Sequence, residues 1–247
     1  MKIPKISVKS LKMSYGDYTV MNDVSFDVEE KEVFLIIGPS GCGKSTLLRY
    51  LLGLKDVNNG SIFFDKRDIN DCIDDKNFYG KKIGVLYQSG ALWSSMSLAE
   101  NVALPLETYT QLPKQDISEI VHLKLSLVGL KGFENFYPSQ ISGGMKKRAG
   151  LARAMALDPE ILFFDEPSAG LDPISSSRLD DLILELKDSL GMTLVVVTHE
   201  LASIFAIGSR AIYLDPNTKT ATAIGTPNDL LKSDNENVVH FLSRGKY

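Results

Sequence analysis

Residues 33–52 constrain the fold of this chain more than any other stretch. Val33-Phe34-Leu35-Ile36-Ile37 is a short continuous apolar run, the pattern of a strand buried on both faces of a parallel sheet. Thr46-Leu47-Leu48-Arg49-Tyr50-Leu51-Leu52 has helical periodicity. Between them Gly38-Pro39-Ser40-Gly41-Cys42-Gly43-Lys44-Ser45-Thr46 meets the pattern G-x-x-x-x-G-K-[ST] at every fixed position. Strand, glycine-rich loop and helix in that order make a cradle for phosphate. The glycines let the backbone approach phosphate oxygens with no Cβ in the way. Successive N–H groups and the helix N-terminus supply positive potential. In such a loop Lys44 reaches the β- and γ-phosphates, and the Ser45 hydroxyl completes a Mg²⁺ shell.

The 247 residues suffice for one large domain with a substantial core. A net charge of −4 argues against nucleic acid as a partner. No apolar run approaches the ~20 residues needed to span a bilayer. The start, Met1-Lys2-Ile3-Pro4-Lys5-Ile6-Ser7, is too short and polar for a signal peptide. Cys42 and Cys72, the only cysteines, make neither a disulfide framework nor a zinc spacing. Cys42, inside the loop, reads as a small filler rather than a reactive thiol. A reducing, cytosolic compartment is the expectation.

The first third is strand-rich, with strands expected at Lys5–Leu11, Val24–Val28, Glu32–Ile37, Ser61–Phe64 and Ile83–Tyr87. From about Ser97 to Ala156 the pattern turns helical, and Gly129 and Gly132 close the helix that carries Ile117, Val121 and Leu125. Two apolar strands follow, Ile161–Phe164 and Thr193–Val197, on either side of an acidic helix over Ser175–Leu190. That βαβ unit implies a parallel sheet covered by helices. A strand-rich core is therefore interrupted by a helical lobe, with breaks expected near Gln88 and Asp158.

Ile161-Leu162-Phe163-Phe164 ends in Asp165-Glu166, two carboxylates at the sheet edge where ligands bind in open α/β folds. Asp165 is expected to hold Mg²⁺, and Glu166 to orient or deprotonate an attacking water. Thr193–Val197 ends in Thr198-His199, where His199 would contact the γ-phosphate. Gln88 follows another strand and would carry its amide oxygen to Mg²⁺ or the water. Ser142-Gly143-Gly144 precedes the basic run Met145-Lys146-Lys147-Arg148. It reads either as a plain N-capped helix or as a second anion site that serves a neighbouring subunit's nucleotide.

With these motifs in place, the chain resembles the ATP-binding subunits of ABC transporters over nearly its whole length. Ile141-Ser142-Gly143-Gly144-Met145 resembles the family's LSGGQ signature, with Ile and Met for Leu and Gln. Ser168-Ala169-Gly170-Leu171-Asp172 resembles the D-loop, His199 the switch histidine and Gln88 the Q-loop glutamine. Tyr15 falls where the family stacks an aromatic on adenine, with Tyr18 close by. The resemblance implies an α/β fold, the P-loop NTPase ABC cassette. It implies a single domain with a RecA-like core over residues 1–88 and 158–225. It also implies an N-terminal antiparallel β-subdomain, an inserted helical subdomain over 89–157 and a helical tail over 226–247. It further implies ATP and Mg²⁺ as ligands and a head-to-tail homodimer. Each ATP would lie between one copy's Lys44, Asp165 and Glu166 and the other's Ser142-Gly143-Gly144, and Asp172 of the D-loop counts among the nucleotide-binding residues.

The stretch Tyr87-Gln88-Ser89-Gly90-Ala91-Leu92-Trp93, then Ser95-Met96-Ser97-Leu98-Ala99-Glu100-Asn101-Val102 and Leu104-Pro105-Leu106, resembles the ATPases of Mla/Mce lipid-transport systems, as does Met145. This implies phospholipid transport, an integral permease, an MCE-domain substrate-binding protein, a small regulatory subunit and a place on the cytoplasmic face of the inner membrane. Leu92 and Trp93 either meet the permease or fold back into the lobe. The alternatives are an amino-acid-type importer and a soluble ABC protein. Val238-Val239-His240-Phe241-Leu242, near the end of a tail read as two short helices, is apolar enough to dock on a neighbour.

Overall fold

A computed structural model describes residues 3–72 and 75–243. The chain forms two compact units. One joins the segment up to residue 74 with everything from Thr193 onward, and the other is Asp75–Met192.

The first unit opens with an antiparallel hairpin of β1 (Ile6–Tyr15) and β2 (Tyr18–Val28), which places Tyr15 opposite Tyr18 across a two-residue turn. β3 (Val33–Ile37) is buried at every residue, as its unbroken apolar run requires. Helix α1 (Lys44–Leu51) follows the glycine-rich loop and buries Leu47, Leu48 and Leu51. β4 (Ser61–Phe64) pairs with β1 and with the short β5 (Arg67–Asp68), so this antiparallel sheet runs β2-β1-β4-β5. The one-turn helix α2 (Ile69–Cys72) ends this part.

The second unit begins with α3 (Lys76–Lys82) and β6 (Ile83–Leu86). α4 (Leu98–Tyr109) starts at a reciprocal capping box. The Glu100 N–H donates to Ser97 Oγ, and the Ser97 N–H donates to Glu100 Oε2 at 2.6 Å. α5 (Lys114–Leu127) ends at Gly129, whose φ of 68° lets the Leu130 N–H reach back to Leu125 O at 2.8 Å. α6 (Gly143–Ala154), β7 (Ile161–Asp165) and α7 (Pro173–Leu190) complete the unit. β6 and β7 are parallel, with Leu86 opposite Phe164.

The chain then returns to the first unit with β8 (Thr193–Val197), α8 (Leu201–Ile207), β9 (Arg210–Asp215), β10 (Thr220–Gly225), α9 (Pro227–Leu230) and α10 (Glu236–Ser243). β3 lies between β8 and β9, parallel to both, and β10 pairs antiparallel with β9. The two short tail helices expected from sequence are present. Part of their apolar face packs on its own chain. Val238 and Leu242 are buried, the Phe241 ring lies 5.5 Å from that of Tyr213, and Asn237 Nδ2 donates to Asp215 Oδ2 at 3.0 Å. Residues 244–247 lie outside the described residues. Among the described residues, no helix is long and apolar enough to cross a membrane.

Candidate functional site

The candidate residues divide between the units. In the first, the glycine-rich loop leaves β3 with backbone that only glycine accepts readily. Gly38 has a φ of 147°, and a methyl group there would lie 2.7 Å from both Cys42 Sγ and Leu214 O. Gly43, at φ 104°, would bring one within 2.9 Å of Val20 Cγ1. Gly43 also caps α1 without any side-chain hydrogen bond, which leaves the first-turn N–H groups without a side-chain acceptor from the cap. Lys44 is buried, and its Nζ donates to Gly38 O at 2.8 Å and Pro39 O at 3.0 Å. Its ammonium therefore sits over the loop, close to the exposed Ser40 and Gly41. Ser45 is exposed and Thr46 half-buried. Cys42 is buried, and that burial pushes its thiol up despite the nearby Lys44 charge. It is a packed residue, as the filler reading expects.

Tyr15 and Tyr18 stand at the end of the β1–β2 hairpin in the same unit. Arg49 Nη1 donates to the Tyr15 hydroxyl at 2.9 Å, and Lys55 Nζ lies 3.3 Å from its ring centroid. Hydrogen bonding with Thr46 is the main reason that this hydroxyl is held below its ordinary value. Tyr15 is thus tied to α1, while Tyr18 is the more exposed, at 65% against 45%. His199 comes from β8. Ile36 pairs with Val197, so Gly38 and His199 each lie two residues beyond a matched pair, at one edge of the sheet. Thr198 is fully buried, and its Oγ1 accepts from the Glu200 N–H at 3.1 Å, which shapes the turn that exposes His199.

The second unit repeats this logic. Leu86 and Phe164 are the last matched pair, so Tyr87-Gln88 and Asp165-Glu166 follow it at the carboxyl ends of β6 and β7. Burial, then the Asp165 charge, pushes the Tyr87 hydroxyl up. Gln88 is exposed. The segment after it is held against α6, where Arg153 donates to Gly90 O at 3.0 Å and Ala91 O at 2.7 Å. Asn101, fully buried, clamps the next turn. Its Oδ1 accepts from the Trp93 N–H at 2.8 Å, and its Nδ2 donates to Trp93 O, Met96 O and Ser97 O. The Trp93 side chain is 59% exposed, so it does not fold back into the lobe, whereas Leu92 is half-buried.

Ser142 caps α6, with Oγ accepting from the Met145 N–H at 3.3 Å. The glycines after it differ from those of the first loop. A methyl group at Gly143 would meet nothing within 4 Å, and one at Gly144 only Leu171 Cδ2 at 3.9 Å. Asp172 caps α7, with Oδ1 accepting from the Ile174 and Ser175 N–H groups at 3.1 and 3.0 Å. Hydrogen bonding from Ser175 holds its carboxyl below the usual value. Two contributors escaped the sequence reading. Asn101 fixes the Trp93 turn. Lys147, in the middle of a basic run, is buried and bonded to the backbone after Glu166. The signal for Lys147 was its helical spacing, three and four residues before the buried Gly150 and Leu151.

A family model described as ABC transporter matches residues 21–169. The phospholipid transport ATP-binding protein MlaF of Haemophilus influenzae is 41% identical over 96% of this chain and 89% of its own length. The chain belongs to the ABC transporter family. Its ABC cassette fold is that of solved relatives. It superposes with a TM-score of 0.80 on the dimeric ATP-binding cassette MJ0796 bound to ADP and Pi, at 30% identity, covering 90% of this chain and 98% of that one. For cbiO1 of Clostridium perfringens the TM-score is 0.85 at 25% identity, covering 96% and 93%. The probable ribonucleotide transport ATP-binding protein mkl of Mycobacterium leprae is 45% identical over 79% of this chain, but the match spans only 57% of that protein. This ABC ATPase therefore carries the phosphate loop in one unit and the Asp165-Glu166 pair, with Ser142-Gly143-Gly144, in the other.

Proposed function

We propose that two copies of the chain close head to tail on two ATP molecules, and that their closing and reopening drives phospholipid movement through a membrane permease. The observation that carries the shared site is the N-terminus of α6. Gly143 and Gly144 are required by neither φ nor packing within the chain, and they open α6, where the first N–H groups of a helix have no intrahelical acceptor. Small residues there suit close approach of a phosphate from outside. The dimeric relative bound to ADP and Pi supports that reading.

In the proposed site Lys44 and the loop N–H groups of Gly41–Thr46 neutralise the β- and γ-phosphates. Glu166 accepts the proton of the attacking water, with Gln88 and His199 positioning that water and the γ-phosphate. Tyr15, or the more exposed Tyr18, stacks on adenine. Asp172 shapes the turn that faces the partner copy. Among the described residues no group of three or more His, Cys, Asp or Glu could hold a metal ion. The Ser45 hydroxyl, Gln88 amide and Asp165 carboxylate would each offer an oxygen donor, the chemistry that suits Mg²⁺. Bound there, Mg²⁺ would offset charge on the β- and γ-phosphates.

The similarity to MlaF over most of both chains supports phospholipid as cargo, together with residues 87–106 and Met145. The ribonucleotide-named relatives match only part of their own length. A permease would dock near the exposed Trp93. An MCE-domain protein, a small regulatory subunit and a position on the cytoplasmic face of the inner membrane complete the reading.

The test is Glu166→Gln. With ATP it is expected to accumulate as a dimer by light scattering, with turnover down about a thousandfold. A persistent monomer, or undiminished hydrolysis, would remove Glu166 from its role. For cargo, the complex purified from membranes should carry phospholipid. A lipid-free complex whose ATPase is stimulated by an amino acid or a ribonucleotide would overturn the lipid reading.

A further inference from the structure

The signature helix α6 carries a buried charge that the proposed site does not use. Lys147 is 5% exposed, in a run whose other basic residues are at least half-buried. Its Nζ donates to Pro167 O, and to Ala169 O at 2.6 Å. Burial lowers its proton affinity, and the nearby Glu166 charge raises it again. A buried ammonium is retained only where hydrogen bonds and opposite charge repay its lost hydration. Here those bonds go to the carbonyls on either side of the buried Ser168.

That turn begins under strain. Glu166 has a φ of 50°, in the left-handed region that L-residues avoid, and it precedes Pro167. Strained backbone persists only where surrounding structure holds it. The turn's own backbone bonds include Ala169 N–H to Glu166 O at 3.2 Å and Leu171 N–H to Ser168 O at 3.1 Å. Lys147 adds two charge-assisted bonds from α6 to the same turn, at Pro167 O and Ala169 O.

We propose that Lys147 is a positioning residue for ATP hydrolysis, clamping the 167–169 turn so that Glu166 keeps the backbone conformation that aims its carboxylate. The proposal rests on the reading of Glu166 as proton acceptor. It also has a consequence for the paired site. α6 presents Ser142–Gly144 at its start and holds Glu166 through Lys147 one turn later. A shift of α6 on meeting the partner's nucleotide would therefore be felt at the carboxylate that serves the chain's own.

The test compares ATP hydrolysis by the full-length chain with that of Lys147→Met, Lys147→Arg, Glu166→Gln and the double variant Lys147→Met/Glu166→Gln. Lys147→Met removes the donor at similar length. It is expected to lower kcat by about 30-fold while KM for ATP changes less than about threefold, the range seen when a supporting group behind a catalytic one is lost. Lys147→Arg, which keeps two donors, should recover most of that loss. The double variant should be no slower than Glu166→Gln alone, because a residue acting through Glu166 has nothing left to position. If Lys147→Met does not fold, Lys147→Gln serves instead, with an expected loss in kcat of about tenfold at unchanged KM. Normal kcat in whichever of these two variants folds, or losses that multiply in the double variant, overturns the proposal. Undiminished hydrolysis by Glu166→Gln sinks the reading of Glu166 and the proposal with it. A dead Glu166→Gln beside an active Lys147→Met sinks the proposal alone.

Discussion

At the phosphate loop, a methyl group on Gly38 would lie 2.7 Å from the backbone oxygen of Leu214; at the signature turn, one on Gly143 would touch nothing within 4 Å. Lys44 shows the same contrast with Ser142. The lysine is buried and bonded to two loop carbonyls, while the serine is exposed and makes a single capping bond. The first loop is specified from inside, by the strand behind it and by its own backbone. The second is underdetermined by its own chain. Under the proposed head-to-tail arrangement, residues that are small where nothing local requires it await an outside contact, which a second copy of the same chain would supply.

This contrast can be broken at either loop. Gly38→Ala should cost about 3 kcal/mol of unfolding free energy in denaturant, from backbone strain and overpacking together. A loss below ~1 kcal/mol would mean that the loop relaxes freely and is not specified from inside. Gly143→Ala should leave stability unchanged or raise it by up to about 1 kcal/mol through helix propensity. It should nevertheless reduce ATP hydrolysis by roughly tenfold or more, as expected when close approach to phosphate is obstructed. Full activity in that variant would remove the turn from the site. Ser97→Ala, at the start of α4, should cost about 1 kcal/mol as a lost N-cap, with ATP affinity unchanged by calorimetry.

The smallest effect concerns pH, in the first unit. Burial, aided by the Asp215 and Cys42 charges, pushes the Tyr213 hydroxyl up to about 12. The folded chain then keeps a proton that the unfolded chain releases above the ordinary value of 10.0. Stability should accordingly fall as pH rises from about 10 to about 12. Tyr213→Phe should flatten that part of the slope in unfolding titrations, and an unchanged slope would place its cause elsewhere.

The difference between the loops also explains what the sequence revealed. β3, β7 and β8 were legible because strands buried on both faces leave continuous apolar runs. β9 and β10 were missed. Thr220–Gly225 is half-buried along most of its length and is defined by pairing with β9 rather than by its own pattern. The phosphate loop was legible because its backbone demands particular residues at fixed spacing. Lys147 was hidden in a basic run that reads as solvated, and only the helical phase of α6 turns it inward. Tyr15 was preferred to Tyr18 through the family resemblance alone, since cross-strand pairing brings both to one hairpin end.

A mixing experiment tests the shared site most directly. Lys44→Ala disables the phosphate loop, and Gly143→Asp places a carboxylate where phosphate should approach. Each variant alone should be inactive. Mixed in equal amounts and allowed to exchange partners, half of the dimers would contain one intact site, so about a quarter of normal hydrolysis should return. A mixture no more active than its two components would mean that each chain completes its own site, contrary to the composite arrangement.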